Sequence, residues 1–269
     1  MVSNEHIGSL GYRLEYAPED DDVRPLLKAS GLEPLSEVDE TIWKATRYLV
    51  ARTLAGGIAA CVGWNGAGGS AVVHSLAVAT SSRGSGIGAS LLATAMGIIR
   101  EEDGADAIFI CTDTARRFFG SFGFGREDRT KIPAEVAAHP AFSEASEFHD
   151  VMVRRYGIAR HGLDHCAFRL IHNTTRHATL PPGSVFLFVQ SGPVLESSYR
   201  GGPVMRGHLI GAMNGSELRF MWHQYTHDGE LMQGDGQIFV NPLEDGRREL
   251  REKLTEGDDD PGELLMREV

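Results

Sequence analysis

The sequence predicts an α+β protein in two parts, a mixed α/β domain followed by an all-β antiparallel meander or barrel. Strand and helix signals alternate from residue 10 to about 156, and helical signals disappear from about 168. The 269 residues are enough for two hydrophobic cores. We therefore predict domains at 1–156 and 168–269, joined by a linker at 157–167 that shows no clear periodicity.

In the first domain, strand-like runs alternate with amphipathic helical runs. The predicted strands are YRLEYA, YLVARTL, GIAACVGWN, GGSAVVHSLAVAT, DAIFICT and HDVMVRRY. One predicted helix, DDVRPLLKASGL, has a proline in its first turn and a glycine at its end. A second, GASLLATAMGIIREED, places apolar residues from Leu91 to Ile99 at helical spacing, and a short third one, TARRFFGSFGF, is ended by Gly123.

The second domain contains only strand-like runs. These are FRLIHNTTRHATL, SVFLFVQSG, VLESSYRGG, VMRGHLIGAMNGS, ELRFMWHQYTHDG, ELMQGDGQIFVNP and RRELREKL. Turn signals separate them at intervals of roughly 8 to 12 residues. A meander of this kind closes, or nearly closes, to hide its edge strands, and its mouth could hold a small ligand. We expect the glycines at 201, 202, 207, 211, 215, 229, 234 and 236 to serve turns and bulges.

Composition limits the classes of partner. The net charge of −11 argues against nucleic acid, because an acidic surface repels phosphate backbones. No apolar run approaches the length that crosses a bilayer, and no secretion signal is seen, so we expect a cytoplasmic protein without a membrane partner. The three cysteines lack metal-binding or disulfide spacing. The acidic runs at 18–22 and 256–263 read as solvated turns rather than cation sites.

A glycine-rich turn is the strongest functional signal. The stretch HSLAVATSSRGSGIGASLL ends a strand at Val78 and places Gly84, Gly86 and Gly88 at alternate positions before a helix predicted to start at Gly88 or Ala89. Bare backbone amides and the positive end of a helix dipole bind phosphate groups. The spacing does not match the Rossmann or P-loop motifs. A flexible turn without a ligand is the structural alternative.

The pattern Arg83-x-x-Gly86-x-Gly88 after SLAV, with FFGSFGF about 30 residues downstream, resembles the acetyl-CoA signature of the GNAT N-acetyltransferase superfamily over residues 10 to 156. The resemblance implies a mixed α/β fold in which SLAV diverges from DAIFICT. It implies acetyl-CoA as cosubstrate, with backbone groups of the strand bonding the pantetheine, amides of the turn holding the pyrophosphate, and two aromatic rings along the far side of the pantetheine. The implied cofactor-binding residues are Leu76, Ala77, Val78, Arg83, Gly84, Ser85, Gly86, Ile87, Gly88, Ala89, Phe118 and Phe119.

His74 is the candidate catalytic base, because a neutral imidazole with a pKa near 6.5 can remove a proton from an amine near neutral pH. A half-buried histidine that only packs or hydrogen-bonds is the alternative. Phe119 stands where many superfamily members have a tyrosine that protonates the thiolate, so another group is needed there. The polar residues at 112–114 are candidates for that group.

Finer resemblances suggest the acceptor. The segments GLEPLSEVDETIWKATRYLVA and IPAEVAAHPAFSEAS resemble acetyltransferases associated with arsenic resistance and the acetyltransferase domain of N-acetylglutamate synthases, which implies a small, amino-acid-like amine. Arg116 and Arg117 could pair with its carboxylate, or simply be solvated. Segments such as YRGGPVMRGHLIG and LEDGRRELREK resemble a family of small bacterial proteins, some labelled N-acetylglutamate synthase.

Together these observations predict an acetyl-CoA-dependent N-acetyltransferase that works by direct attack of a small amine on the thioester. The alternative is a sensor or scaffold that binds CoA while the barrel binds a ligand and no acetyl transfer occurs. The barrel could also serve to form a homodimer. His223 and His227 would share one face of a strand, but about 13 Å separates positions four apart, which favours packing over a shared metal ion.

Overall fold

The computed structural model describes residues 11–17, 23–33, 40–156, 162–174, 179–252 and 262–269. They form two compact units, one built on a mixed sheet and the other on a barrel. This is the predicted fold class. Of the predicted elements, the acidic run at 18–22, most of the run at 256–263 and the first part of the linker lie outside the described residues.

The first unit contains a seven-stranded sheet. Its strands are β1 (Tyr12–Tyr16), β2 (Arg47–Thr53), β3 (Ile58–Ala67), β4 (Ser70–Val78), β5 (Ala107–Thr112), β6 (Gly125–Arg126) and β7 (Asp150–Arg155). Their order in the sheet is β1-β2-β3-β4-β5-β7-β6, and neighbours are antiparallel except for the parallel pair β4 and β5. The parallel pair therefore lies at the centre of the sheet, with the crossover helix between its two strands in the chain.

Six α-helices accompany the sheet in the described residues. They are α1 (Arg24–Ala29), α2 (Glu40–Ala45), α3 (Ile87–Glu101), α4 (Arg116–Gly120), α5 (Ala134–Ala137) and α6 (Pro140–Ser143). The predicted start of α3 is wrong by one or two residues, because Ser90 N–H already donates to Gly86 O and so brings Ile87 into the first turn. None of the described helices is long and apolar enough to cross a membrane.

The sheet has a core on either side. The apolar stripe of α3 predicted from the sequence is buried, as at Leu92 and Ile99. On the side of α5 and α6, Phe109 and Val151 of the sheet pack with Val136 and Phe142 of these helices. A third cluster joins α1 to β2, β3 and β4. Burial on both faces explains why the central strands read as continuous apolar runs.

The second unit is a closed barrel of eight antiparallel strands. They are β8 (Cys166–Asn173), β9 (Val185–Ser191), β10 (Val194–Gly201), β11 (Val204–Asn214), β12 (Glu217–Thr226), β13 (Leu231–Pro242), β14 (Arg248–Glu252) and β15 (Leu264–Glu268). Closure between β8 and β15 and between β9 and β10 leaves no edge strand. Burial alternates along the strands, as in β10, so inward side chains fill a single core.

Four barrel glycines that were predicted to lie in turns and bulges have a different structural role. Gly207, Gly211, Gly234 and Gly236 lie inside strands, and each is paired in register with an aromatic residue of a neighbouring strand. A Cβ at Gly234 would lie 2.8 Å from the ring of Trp222, and one at Gly236 would lie 2.7 Å from that of Phe220. The prediction is wrong here because Gly207, Gly234 and Gly236 leave space for the rings beside them, and Gly211 leaves space for Arg219 O and Phe220 Cβ. Gly215 and Gly229, by contrast, adopt positive φ, as turn glycines do.

Candidate functional site

An opening between the two parallel strands lies at the centre of the sheet. β4 pairs with β5 only at 70–72 and 107–109, although β4 continues to Val78 and β5 to Thr112. In the described residues no further ladder pair joins the two strands. The two strands therefore diverge, as the sequence resemblance implied.

Backbone groups of β4 point into this opening. Ala79 N–H donates to Ala59 O at 2.8 Å, so the backbone groups of Ala79 face β3. Because these groups alternate along a strand, those of Leu76 and Val78 face the other way, where β5 has left the sheet. An extended chain could bond to them like an added strand. Ala77 pairs with Cys61 and is buried, so its contribution is to the core.

A β-bulge marks the start of the opening. The register of β3 and β4 shifts between Cys61 and Gly63, and Ser75 adopts φ of 54°, which is rare for a residue with a side chain. Strained backbone of this kind is retained where the surroundings hold it in place, and it clusters at functional sites. The bulge was not foreseen from the sequence, because its signal is the register of two strands.

The glycine turn follows directly after β4. Gly84 and Gly86 have φ of 83° and 87°, a conformation that glycine adopts without strain, and Ile87 begins the 15-residue helix α3. The first amides of a helix lack intrahelical partners, so those of Gly88 and Ala89 can face a ligand. Ile87 N–H lies 3.4 Å from Ser85 Oγ. The geometry is that of an anion site at a helix N-terminus.

Arg83 lies at the rim of this turn. Its side chain is exposed, and Nε donates to Val78 O at 3.1 Å. This bond links the rim of the turn to the end of the strand and occupies one of the two Val78 groups that the resemblance assigned to the pantetheine. The remaining guanidinium nitrogens carry a positive charge beside the turn.

His74 belongs to a hydrogen-bonded chain of side chains that also includes Ser75, Asn65, His139 and Thr46, whose Oγ1 lies 3.1 Å from Asn65 Oδ1. Its Nδ1 lies 2.8 Å from Ser75 Oγ, and its Nε2 lies 2.8 Å from Asn65 Oδ1. The same amide oxygen is 3.1 Å from Nε2 of His139, and the two imidazole rings are 5.4 Å apart. Asn65, Ser75 and His139 were not among the residues predicted for the site, because 65, 74 and 139 share no local spacing.

The environment of His74 differs from the expected one. Burial and the nearby His139 lower the pKa of His74 to about 3, whereas the sequence-based assignment as a base assumed a pKa near 6.5. The imidazole is therefore neutral near pH 7 and is a poor acceptor of a full proton. Tyr48, whose ring meets that of His74 edge to face, is also neutral because burial raises the pKa of its phenol.

The two aromatic residues of α4 have different roles. Phe119 is buried, and its ring packs 5.8 Å from that of Phe124, so it belongs to the domain core. Phe118 remains partly exposed and packs on Phe119 and Phe122. Of the two, Phe118 is the one with surface left for a ligand.

The polar residues near α4 are engaged within the fold. Thr112 Oγ1 accepts the Ala115 N–H at 3.0 Å just before the helix, and Thr114 Oγ1 donates to Asp113 at 3.2 Å. Arg116 lies 3.5 Å from Asp150, which Arg126 also contacts. The side chains of Thr112 and Arg116 therefore have partners within the protein, and their positions are explained without a bound substrate.

Neither cysteine of the sheet is an activated nucleophile. Burial raises the pKa of Cys61 to about 12, and its Sγ donates to Ser75 O. Burial also raises the pKa of Cys111, although Arg129 partly offsets the effect. A thiol rather than a thiolate is present at both positions near neutral pH.

The barrel encloses a second concave site, a cavity of about 280 Å³. Its walls combine rings, such as Phe186 and Trp222, with polar groups, among them Tyr199 and Gln224, which are 3.4 Å apart. Cavities of this type, apolar with a few polar groups, bind small molecules. His223 does not reach it, because its exposed ring stacks on that of His208. No cluster of metal ligands is found in the described part of the chain.

Two family models match the sequence, one for each part of the chain. Residues 15–124 match the acetyltransferase (GNAT) family, and residues 161–269 match avidin-like protein. Among curated proteins there is no significant match.

Solved structures similar to this chain align with about half of it. N-acetylglutamate synthase from Neisseria gonorrhoeae, complexed with coenzyme A and N-acetyl-glutamate, is 16% identical over 53% of this chain and 35% of its own, with a TM-score of 0.42. A Mycobacterium tuberculosis protein in complex with CoA is 18% identical over 53% of this chain and 98% of its own, with a TM-score of 0.44. A GNAT family acetyltransferase from Elizabethkingia anophelis with acetyl-CoA bound is 13% identical over 54% and 98%, with a TM-score of 0.40.

This chain thus spans about a third of the synthase. At these identities and scores the neighbours add no argument about function, so the assignment depends on the two family models. Each model covers less than half of the chain: the sheet domain is similar to the GNAT acetyltransferase family, and the barrel domain that follows is similar to avidin-like protein.

Proposed function

We propose that this protein transfers an acetyl group from acetyl-CoA to the amine of a small, amino-acid-like acceptor, by direct attack of the amine on the thioester. The observation that carries the proposal is the divergence of β4 from β5 directly before a glycine turn and the N-terminus of α3. One continuous segment of chain therefore offers an extended backbone edge and then a set of anion-binding amides.

The cosubstrate fits this segment by its chemistry. CoA combines a pantetheine arm with two amide groups and a negatively charged diphosphate. The backbone groups of Leu76 and the N–H of Val78 suit the amides, and the turn at 84–89 suits the diphosphate. A side chain at Gly86 would have to adopt φ near 87°, which explains the glycine there. Phe118 offers an apolar surface for the arm.

The protonated thiols of Cys61 and Cys111 favour direct attack over a mechanism with an acyl-enzyme intermediate. With the pKa of Cys61 raised to about 12 by burial and that of Cys111 also raised, neither provides a thiolate to take the acetyl group. In direct attack the amine nitrogen bonds to the carbonyl carbon and loses one proton to water, the C–S bond breaks, and CoA leaves as the thiolate. The acceptor class rests on the resemblance of the segment at 132–146 to the arsenic-resistance and N-acetylglutamate synthase groups.

Thioester consumption across a panel of small amines tests the proposal. Amino acids, their amides and simple alkylamines should be compared, with free CoA released and acetylated product both quantified by mass. The proposal predicts matched amounts of CoA and N-acetyl product for at least one amino-acid-like amine. Acetyl-CoA binding without turnover on any amine would contradict transfer.

The second candidate is a CoA-binding sensor or scaffold in which the barrel holds the ligand. The barrel cavity favours it, and so does Phe119, which lacks the hydroxyl that would protonate a leaving thiolate. A sensor would bind acetyl-CoA and a small ligand without consuming either, so the same panel separates the two candidates.

A further inference from the structure

The hydrogen bonds at 65, 74, 75 and 139 assign one arrangement of protons to the two imidazoles. Thr46 Oγ1, which lies 3.1 Å from Asn65 Oδ1 and 2.8 Å from Ile42 O, can donate to either oxygen without changing it. Asn65 Nδ2 donates to Ile42 O at 3.3 Å, which turns Oδ1 toward the two histidines. Ala141 N–H donates to His139 Nδ1 at 3.2 Å, so that nitrogen carries no proton and Nε2 of His139 does. His139 therefore donates to Asn65 Oδ1.

The proton on His74 follows from the same oxygen. An amide oxygen can only accept, so the Nε2 of His74 that lies 2.8 Å from Asn65 Oδ1 must carry the proton. The other nitrogen of a neutral imidazole is then an acceptor. His74 Nδ1 consequently accepts the hydroxyl proton of Ser75 across 2.8 Å.

The remaining hydrogen-bonding capacity of Ser75 is that of its Oγ as an acceptor. A hydroxyl has one donor and two acceptor positions, and the donor is used by His74. Tyr48 Oη lies 3.5 Å away and can donate weakly to one acceptor position, which leaves one for another molecule. Ser75 is partly exposed and lies at the bulge where β4 leaves β5.

We infer that Ser75, rather than His74, contacts the acceptor amine by accepting one of its N–H groups, and that His139 and Asn65 are positioning residues that hold His74 in the Nε2–H form behind it. The inference rests on the proposed function, since it names the group that faces the acceptor in that reaction. Asn65 cannot relay a proton, because its amide oxygen only accepts. The proton that the attacking amine loses therefore passes to water, and Ser75 keeps its own hydroxyl proton on the bond to His74.

Nitrogen chemical shifts of the imidazole rings in the full-length protein test the arrangement directly. For His74 we expect a protonated Nε2 and an unprotonated Nδ1 from pH 7 down to pH 5. The titratable rings that contact it within the described residues are those of Tyr48 and His139, and neither is an anion there. A protonated Nδ1, or an imidazolium at pH 7, would overturn the inference without any variant.

Substitutions at Asn65 and His139 test whether these residues hold the tautomer of His74 or only stabilise the fold. Asn65→Leu should leave His74 as a mixture of its two neutral tautomers, and His139→Gln should produce a smaller shift toward that mixture. His149→Gln is the control, because it makes the same substitution at a histidine that is not hydrogen-bonded to His74 or Asn65. Ser75→Ala should lower kcat at least about tenfold, the loss expected for one hydrogen bond to a charged or reacting group, with the Kd for acetyl-CoA unchanged. Full turnover by Ser75→Ala would contradict the contact with the amine.

Failure of the proposed function looks different. In that case no amine is acetylated, whether or not acetyl-CoA binds, yet the nitrogen shifts of His74 still report whether the arrangement of protons is correct. Failure of this inference alone leaves acetyl-CoA binding and turnover intact and changes either the shifts or the response to Ser75→Ala.

Discussion

Both domains combine glycines with aromatic rings, but the glycines have different structural roles in the two domains. In the turn after β4, Gly84 and Gly86 take positive φ and expose backbone amides, while the ring of Phe118 lies on a separate helix. In the barrel, Gly211 and Gly236 are paired with Phe220 from opposite sides; a Cβ at Gly236 would meet the Phe220 ring, and one at Gly211 would meet Arg219 O and Phe220 Cβ. Under the proposed function the first arrangement leaves space for a phosphate group, whereas the second leaves space for the protein's own atoms.

This difference shows what a glycine pattern can reveal by itself. A glycine whose role depends on φ and on the next helix can be read from its neighbours in the sequence. A glycine whose role depends on a partner strand requires the register, which is not a local property. For that reason the turn was interpreted correctly as a strand-to-helix connection, whereas the barrel glycines were assigned to turns and bulges.

The largest effect is expected at an aromatic residue of the sheet domain. Phe119→Ala should lower the free energy of unfolding by about 3 to 5 kcal/mol, because it removes a buried ring that packs on Phe124. Phe118→Ala should cost clearly less, since that ring is partly exposed, and should instead weaken acetyl-CoA binding. Denaturant unfolding and calorimetric titration of both variants would measure this. Equal destabilisation by both would mean that Phe118 is also a core residue.

A slightly smaller effect is expected in the barrel. Gly211→Ala should lower stability by about 3 kcal/mol, because the added methyl group would collide with Arg219 O and lie 2.7 Å from Phe220 Cβ. Gly215→Ala is the matched control, since Gly215 has φ of 62° and open space around it, and should cost only about 1 kcal/mol of backbone strain. If the two variants unfold at the same denaturant concentration, close packing against Arg219 O and Phe220 Cβ is not what requires glycine at 211.

Much of the fold followed from local patterns. The alternating strands and helices of the first domain, the closed meander of the second and the buried stripe of α3 depend on periodicity and turn residues. The short elements α2 and β6 were missed, since β6 has two residues and exists only through its pairing with β7. Helices α5 and α6 lie in a segment singled out for its resemblance rather than for its structure.

The candidate site was only partly predictable. The opening and the turn were expected from the residues around Val78 and Gly86, and the structure has both. The protonation chemistry was not, because the low pKa of His74 comes from burial and from His139, which is 65 positions away in the sequence. The contact between His74 and His139 forms only when folding brings β4 next to the loop before α6.

The central claim is that the turn at 84–89 holds the diphosphate of acetyl-CoA, and calorimetric titration of acetyl-CoA tests it most directly. The wild-type protein should be compared with Gly86→Glu and with Gly97→Glu, which places the same charge in α3 at a glycine with open space around it. We predict that Gly97→Glu binds like the wild type and that Gly86→Glu binds at least about 100-fold more weakly, through repulsion of the phosphates and loss of the turn conformation. Wild-type affinity in a folded Gly86→Glu variant would contradict the account.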